Sequence, residues 1–255
     1  MKREFVIIIL SLLSFSIFAQ KVQMEGTASL EQVYGELFES ETLLTMNDLD
    51  VEFGYVLYQA EVNMEAGNAR LEFENVRDYA AIYANGALQG TVTDNRKKLT
   101  LPAPAGKYLL QCYVENIGRI TYGPEILDNW KGLFGSVTLG GKEIEHWTMI
   151  ELRVRNCDVN TLVFTEQKTS TVPCFYKGSF TMDTVKDVYI DITGWGMGEV
   201  WINGQYMGSY WEEEKQQSIQ VPASVLVNGR NEVIVFELKN NNQVSMRLSD
   251  TPVFK

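Results

Sequence analysis

The chain has few of the side chains on which metal and nucleophilic chemistry depend. One histidine, His146, and three cysteines occur in 255 residues. His146 has neither a second histidine nor a Cys-x-x-Cys motif to complete a zinc site, and no nucleophile-elbow motif accompanies it for a triad. Gly194, Gly196 and Gly198 precede a hairpin rather than a helix, so they do not form a phosphate-binding loop. We therefore predict no metal site, no cofactor and no catalytic residue.

Basic side chains are also scarce. The sequence has 22 lysines and arginines against 33 aspartates and glutamates, and its formal net charge is −11. Nucleic acids and anionic membranes attract positively charged proteins, so this balance argues against both as partners.

The one long hydrophobic run lies at the N-terminus. Lys2 and Arg3 precede the apolar residues 5–18, and Ala19 is suited to cleavage. The run is too short and too weakly flanked for a stable membrane span. We therefore predict a signal peptide over residues 1–19 and a secreted or periplasmic protein.

The three cysteines cannot all be paired within one chain. Cys112 shares a predicted strand face with Leu110 and Val114, which indicates a small core residue. Cys157 and Cys174 would form a disulfide in an oxidising compartment or would pack as two free thiols, and the sequence leaves both open.

The clearest signal in the chain is a β-hairpin around Asn203-Gly204. Both central residues of a type I′ turn need positive φ, and Asn-Gly supplies this at low cost. A two-residue turn also sets the register of the strands that it joins. The predicted facing pairs are Ile202 with Gln205, Trp201 with Tyr206, and Val200 with Met207.

The same pattern occurs once earlier in the chain. Asn85-Gly86 follows Tyr83, and Gly90 lies four residues past the turn glycine, as Gly208 does in the later hairpin. The recurrence indicates one β unit present twice. Tyr83 then corresponds to Trp201, and we expect both to fill cores.

Carboxylates recur in the two units as well. Glu115 and Glu237 occupy matching places at the ends of predicted strands, which favours a structural role for both.

The rest of the chain reads as short strands divided by Gly, Pro and Asn turns, which is typical of sandwiches and jelly rolls. We predict an N-terminal lead-in over residues 20–45, a first β-sandwich over 46–150 and a second β domain over 151–255. Within the lead-in, Leu30, Val33 and Tyr34 recur at helical spacing, which predicts a short helix. Thr45 followed by Asp48 predicts one capped turn before the first domain.

Two sets of motifs resemble known domains in an unchanged order. The first set comprises 54–58, 114–124, Asp128 and Lys131-Gly132, and resembles the first β domain of the family 35 glycoside hydrolases, the β-galactosidases. The second set resembles the last domain of that family and comprises Pro173, 175–176, Gly178, Phe180, Asp183-Thr184, 194–204, Gly208, 210–211 and 216–217. The resemblance implies an all-β chain of two tandem β-sandwich or jelly-roll domains, the second galactose-binding-like. Ser209 replaces the family's usual arginine, and Glu214-Lys215 replaces its usual Gly-Pro.

The resemblance also implies a barrel that these residues do not hold. The family begins with a (β/α)₈ barrel that carries two catalytic glutamates and takes about 250 residues. Only residues 20–53 separate the predicted signal peptide from the first motif, so we expect the barrel to be absent here.

Aromatic side chains are the candidates for a binding site, because sugar rings stack on them. We predict a galactoside or other carbohydrate as ligand, and Tyr122, Trp195, Tyr210 and Trp211 as the binding residues. For Trp195 and Trp211 the alternative is packing within or between domains. For Tyr122 the resemblance implies a place near the mouth of the barrel, and the alternative is packing at a domain edge.

Three functions remain open at this point. The first is an exported, non-catalytic module that binds carbohydrate or completes a hydrolase with a separately encoded barrel. The second is a glycosidase with its own site between the domains, which predicts a deep cleft with two close carboxylates, one of raised pKa. The third is a purely structural remnant.

Overall fold

The computed structural model describes residues 20–65, 67–239 and 242–255. The predicted signal peptide lies outside the described residues. The predicted fold class is confirmed, because three antiparallel sheets make up almost all of the regular structure. Within the described ranges, no helix is long and apolar enough to cross a membrane.

Eighteen strands and four short 3₁₀ helices are described. The strands are β1 (Gln20–Ser29), β2 (Tyr34–Ser40), β3 (Gly54–Met64), β4 (Gly67–Arg77), β5 (Tyr79–Ala84), β6 (Ala87–Thr93), β7 (Lys98–Ala103), β8 (Gly106–Asn116), β9 (Gly132–Leu139), β10 (Lys142–Glu143), β11 (Trp147–Leu152), β12 (Cys174–Met182), β13 (Val188–Asp191), β14 (Met197–Ile202), β15 (Gln205–Trp211), β16 (Ser218–Val221), β17 (Gly229–Glu237) and β18 (Ser245–Ser249). The 3₁₀ helices are Leu30–Val33, Pro124–Leu127, Val159–Thr161 and Ala223–Val225.

The first domain is a sandwich of two sheets. Six strands in the order β2-β11-β3-β8-β5-β6 pack on four strands in the order β10-β9-β4-β7. Leu110, Cys112 and Val114 lie on the inner face of β8, in the core with Tyr58 and Trp147. The alternation along β8 is therefore as predicted, and Cys112 is a core residue.

The second domain is a single curved sheet in the order β15-β14-β17-β12-β1-β18-β13-β16. The sheet closes around a core that contains Trp195, Tyr176 and Val200. Strand β1 comes from the N-terminal segment and pairs with β12 and β18.

The segment predicted as a lead-in thus supplies one strand to each domain, β1 to the second and β2 to the first. The helix predicted there is wrong: only one 3₁₀ turn, Leu30–Val33, separates the two strands. Leu30 and Val33 are buried between the domains, so tertiary packing and strand pairing override the helical spacing. The capped turn at Thr45 is confirmed, since Asp48 N donates to Thr45 Oγ1 (3.0 Å) and Thr45 N donates to Asp48 Oδ2 (2.9 Å).

Both Asn-Gly hairpins are present, with φ of 50° and 77° at Asn203 and Gly204. The pairs formed by Ile202 and Trp201 are confirmed, but Val200 pairs with Gly208 rather than Met207, because a bulge lies between the Val200 and Trp201 pairs and leaves Met207 unpaired. The earlier hairpin has the same bulge, and Gly90 and Gly208 have φ of 148° and 142°. A bulge with positive φ needs glycine, which explains why both units keep one at this place.

The two domains pack through the outer faces of their sheets. The shared core includes Tyr55, Tyr83, Phe175, Trp201 and Phe236. The hydroxyl of Tyr83 donates to the carbonyl oxygen of Leu238 across the interface (2.9 Å). Tyr83 and Trp201 therefore fill a core as predicted, and that core lies between the domains.

All three cysteines are free thiols in the described structure, so the alternative of two packed thiols holds for Cys157 and Cys174. Burial raises the pKa of each of these two thiols to about 11. The Cys157 thiol donates to the carbonyl oxygen of Val154 (3.1 Å).

Candidate ligand cleft between the domains

A cleft of about 590 Å³ lies where the two domains meet. The first domain contributes Asp78, Tyr79, Glu115 and Ile117, and the second contributes residues of β14, β15, β16 and the segment that joins β15 to β16. The second set includes Met197, Met207, Tyr210, Trp211, Glu214, Gln216 and Gln220. A cavity of this size, with apolar walls and a few polar groups, is typical of small-molecule sites.

Strand alternation positions Glu115 at the base of the cleft. Glu115 is near the end of β8 and pairs with Tyr55 on one side and Tyr79 on the other. Directly paired residues project to the same face of a sheet, and here that face is turned toward the second domain. Glu115 is consequently only 2% exposed, although it lines the cavity.

Glu199 approaches Glu115 from the second domain. Met197, Glu199 and Trp201 alternate along β14 on the face turned toward the first domain, and Glu199 is fully buried. The hydroxyl of Tyr55 lies between the two carboxylates, 3.2 Å from Glu115 Oε1 and 2.8 Å from Glu199 Oε1. The two acids therefore meet across the domain boundary through one hydroxyl.

A single arginine serves both carboxylates. Arg155 Nε donates to Glu199 Oε1 (2.5 Å), and Nη2 lies 3.4 Å from Glu115 Oε1. The guanidinium also lies over the ring of Phe53, 3.8 Å from its centroid. The second oxygen of Glu199 accepts a 2.5 Å hydrogen bond from the hydroxyl of Tyr206. Glu199 is thus fully engaged, and Arg155 compensates one of the two negative charges.

The pKa of the Glu115 carboxyl is strongly raised. Burial raises the pKa of its carboxyl to about 7, and the neighbouring Glu199 carboxylate adds to the rise, while Arg155 opposes it. Its Oε2 atom is buried and has no hydrogen-bond partner among the described residues. A buried oxygen without a donor is costly, so this atom is suited to accept one from a ligand.

Trp211 lines the cleft and has a polar atom without a hydrogen-bond partner. Its ring packs edge-on against Tyr79, with centroids 6.0 Å apart. Its indole Nε1 is buried and has no acceptor among the residues that the structure describes. Among the cleft residues, the acceptor Oε2 of Glu115 and the donor Nε1 of Trp211 are therefore both unpaired, as is the hydroxyl of Tyr79.

The structure separates the four binding residues predicted from sequence into two groups. Tyr210 and Trp211 line the cleft, and the hydroxyl of Tyr210 donates to Glu237 Oε2 (3.0 Å). Trp195 is fully buried in the second core, where its Nε1 donates to the carbonyl oxygen of Ser245 (3.2 Å). Tyr122 is 92% exposed on the loop between β8 and β9, outside the cleft lining.

Glu115 and Glu237, which occupy matching positions in the two units, make different contacts. Glu237 is a strand-end acceptor, as predicted, because it receives the backbone N–H groups of Gly196 (2.8 Å) and Lys239 (2.7 Å). Sequence reasoning missed Glu115 as a cleft residue, and it missed Glu199 and Arg155 as its partners. The available signal was an acid inside a strongly apolar strand, as at Glu199 between Gly198 and Val200.

The other carboxylate beside Glu115 is already paired. Both oxygens of Asp78 lie within 2.7 Å of Lys131 Nζ, and Oδ2 also accepts from the backbone N–H of Ile117 (3.0 Å). Lys131 is buried, so this ion pair is a fixed part of the cleft wall. Across the described ranges, no group of three or more His, Cys, Asp or Glu side chains is arranged to hold a metal ion.

Comparisons with known proteins agree with this architecture. Residues 44–153 match the family described as "Beta-galactosidase, first all-beta domain", and residues 173–231 match "Beta-galactosidase, galactose-binding domain". Human β-galactosidase-1-like protein 2 is 29% identical over 80% of this chain and 33% of its own length. Mouse β-galactosidase is 31% identical over 77% of this chain and 34% of its own length. The chain thus spans about a third of the length of these relatives.

Among solved structures, the apo lectin of Pleurotus ostreatus matches over 94% of this chain and 85% of its own. The two are 11% identical, and the TM-score of 0.29 is too low to support any statement about function. Both family matches fall on the two domains seen here and keep their order along the chain. The chain belongs to the β-galactosidase family, of which it carries the first all-β domain and the galactose-binding domain.

Proposed function

We propose that this chain is an exported, non-catalytic accessory module of a glycoside hydrolase, and that it binds carbohydrate in the cleft between its domains. The observation that carries the proposal is the cleft itself. It combines aromatic walls at Tyr79, Tyr210 and Trp211 with an unpaired acceptor on Glu115 and an unpaired donor on Trp211. Sugars match such a site because their C–H faces stack on aromatic rings while their hydroxyls both donate and accept.

The arrangement of the acids favours binding over hydrolysis. Hydrolysis by the usual route needs two carboxyl groups that face each other across the glycosidic bond, about 5–10 Å apart. Glu115 has the raised pKa expected of a general acid, but Asp78 is held by Lys131, and Glu199 is fully engaged without lining the cleft. Glu214 at the rim is the other acid on the lining, and it is solvent-exposed.

Two measurements on the purified chain test the proposal. We expect no turnover of aryl β-galactosides, and we expect calorimetric titration with galactose and β-galactosides to show binding. Trp211→Ala should abolish that binding, whereas Trp130→Ala, at a half-exposed tryptophan outside the cleft, should leave it unchanged. Robust turnover would refute the non-catalytic role, and the absence of any sugar binding would refute the binding role.

A second candidate function is the completion of a hydrolase with a separately encoded barrel. It is supported by an apolar surface on the loop between β8 and β9, where Tyr122 and Leu127 are 92% and 94% exposed. Ile117, Ile126 and Trp130, between β8 and β9 as well, are also exposed. Large contiguous apolar surfaces on soluble proteins commonly mark sites of protein contact.

The neighbouring reading frame provides the test of this second function. If it encodes a barrel with paired glutamates, co-expression should yield a stable complex on size-exclusion chromatography and galactosidase activity. Replacing Tyr122 and Leu127 with Ala should weaken the complex at least tenfold, and Val227→Ala, at an exposed apolar residue elsewhere, should not. A neighbouring frame without a barrel, or a complex indifferent to the double replacement, would count against it.

A further inference from the structure

The charges around the cleft do not balance. Glu115 and Glu199 are buried and share one guanidinium, that of Arg155. The remaining acid beside them, Asp78, is neutralised by Lys131. No lysine or arginine appears among the residues that line the cleft. One negative charge at the base of the cleft therefore has no fixed counterion in its immediate contacts.

The unpaired charge and the unpaired atom coincide at one side chain. Glu115 Oε1 contacts Tyr55 and Arg155, while Oε2 has no partner among the described residues and Glu115 is 2% exposed. A buried carboxylate in this state needs either a proton or a cation. The pKa of about 7 indicates that the free protein takes up the proton. A cationic ligand group that reached Oε2 would replace it.

The other residues of the cleft indicate what the remainder of such a ligand must be. Tyr79, Tyr210 and Trp211 provide rings that suit both an apolar face and a nearby cation. Trp211 Nε1 needs a hydrogen-bond acceptor. An ammonium group cannot accept a hydrogen bond, whereas a sugar hydroxyl can. A volume of about 590 Å³ accommodates one or two sugar rings.

We infer that the cleft selects amino sugars, with the ammonium group at Glu115 and a ring hydroxyl at the Trp211 indole. This inference rests on the proposed carbohydrate-binding role and narrows its ligand class. The ligand donates N⁺–H to Glu115 Oε2 and accepts from Trp211 Nε1, so both of these unpaired atoms gain a partner. Carboxylated sugars are rejected, because their charge would face the carboxylates of Asp78 and Glu214 without a basic side chain on the lining.

The experiment is calorimetric titration of the full chain at pH 6.5 with galactose, galactosamine and galacturonate. Galactosamine differs from galactose only at C2, and galacturonate differs from it only at C6. An amine of this kind is largely protonated at that pH. We expect galactosamine to bind at least tenfold more tightly than galactose, and galacturonate not to bind. Galactose binding as tight as galactosamine binding would overturn the inference and leave the carbohydrate-binding role standing. Binding of none of the three sugars would overturn both.

Variants then locate the preference. Glu115→Gln keeps the shape of the side chain and removes its charge, so the preference for galactosamine over galactose should fall to less than threefold. Glu213→Gln removes an exposed charge from the neighbouring loop outside the lining, and it should leave the preference intact. Trp211→Phe keeps a ring, removes Nε1 and should weaken both sugars by a similar factor. The assignment to Glu115 would be overturned if the preference for galactosamine over galactose survived in Glu115→Gln. It would also be overturned if Glu213→Gln reduced that preference as much as Glu115→Gln does.

Discussion

Replacing Glu115 with glutamine should change how the stability of the protein depends on pH. The pKa of the Glu115 carboxyl is about 7 in the folded protein, against 4.5 for an unperturbed glutamate, and burial is the main cause. Between these two values the folded state binds more protons than the unfolded state, so the free energy of unfolding falls as pH rises. The destabilising contribution is absent below about pH 4.5 and complete above about pH 7.

The size of the effect follows from the shift. One pKa unit corresponds to about 1.4 kcal/mol, so the shift of Glu115 corresponds to about 3 kcal/mol between pH 4.5 and pH 8. The groups that face this carboxyl are Tyr55, Glu199, Arg155 and Asp78, and the Glu115→Gln variant retains all of them. Because glutamine does not titrate, the variant should gain stability relative to the wild type as pH rises, by up to about 3 kcal/mol.

Urea denaturation followed by tryptophan fluorescence at pH 5, 6, 7 and 8 measures this difference. Glu213→Gln is the matched control, because Glu213 is exposed on the loop after β15, and its difference from wild type should be flat across the series. The reasoning about Glu115 fails if the Glu115→Gln and wild-type stabilities run parallel with pH, or if their difference has the opposite sign.

Two further predictions concern stability at neutral pH, each measured as the free energy of unfolding. Tyr206→Phe removes the 2.5 Å hydrogen bond to the Glu199 carboxylate and should lower the free energy of unfolding by about 2 kcal/mol. The control Tyr108→Phe, at an exposed hydroxyl, should lower it by less than about 0.5 kcal/mol. Equal losses in the two variants would contradict this prediction. Gly208→Ala should cost about 1–2 kcal/mol from backbone strain alone, since φ is 142° and the space around it is open. Gly90→Ala should cost more, because its Cβ would also lie 2.8 Å from a leucine methyl carbon; a smaller loss there than at Gly208 would contradict it.

Local sequence signals predicted the strands and turns well, because their physical causes are local. Asn85-Gly86 and Asn203-Gly204 adopt positive φ at both residues, and Thr45 and Asp48 form the expected capped turn. Alternation along β8 placed Cys112 in the core. Each of these features depends on a few adjacent residues and on the period of a strand.

The N-terminal segment shows where local signals fail. Leu30 and Val33 lie at helical spacing, yet they bury between the domains as part of one 3₁₀ turn. Strand β1 joins a sheet whose other strands begin more than a hundred residues later in the chain. Strand β1 lies inside that sheet, between β12 and β18, and such long-range pairings depend on the packing of distant segments, which no local pattern records.

The sequence by itself determined that the chain is all-β, where its two hairpins turn and which family it resembles. Only the tertiary structure decided that Glu115 and Glu199 meet across the domain boundary, share Arg155 and leave one buried oxygen unpaired in the cleft that Trp211 also lines. The reason is physical: desolvation and charge balance depend on distances between segments far apart in the chain, whereas turns and strand faces depend on neighbouring residues.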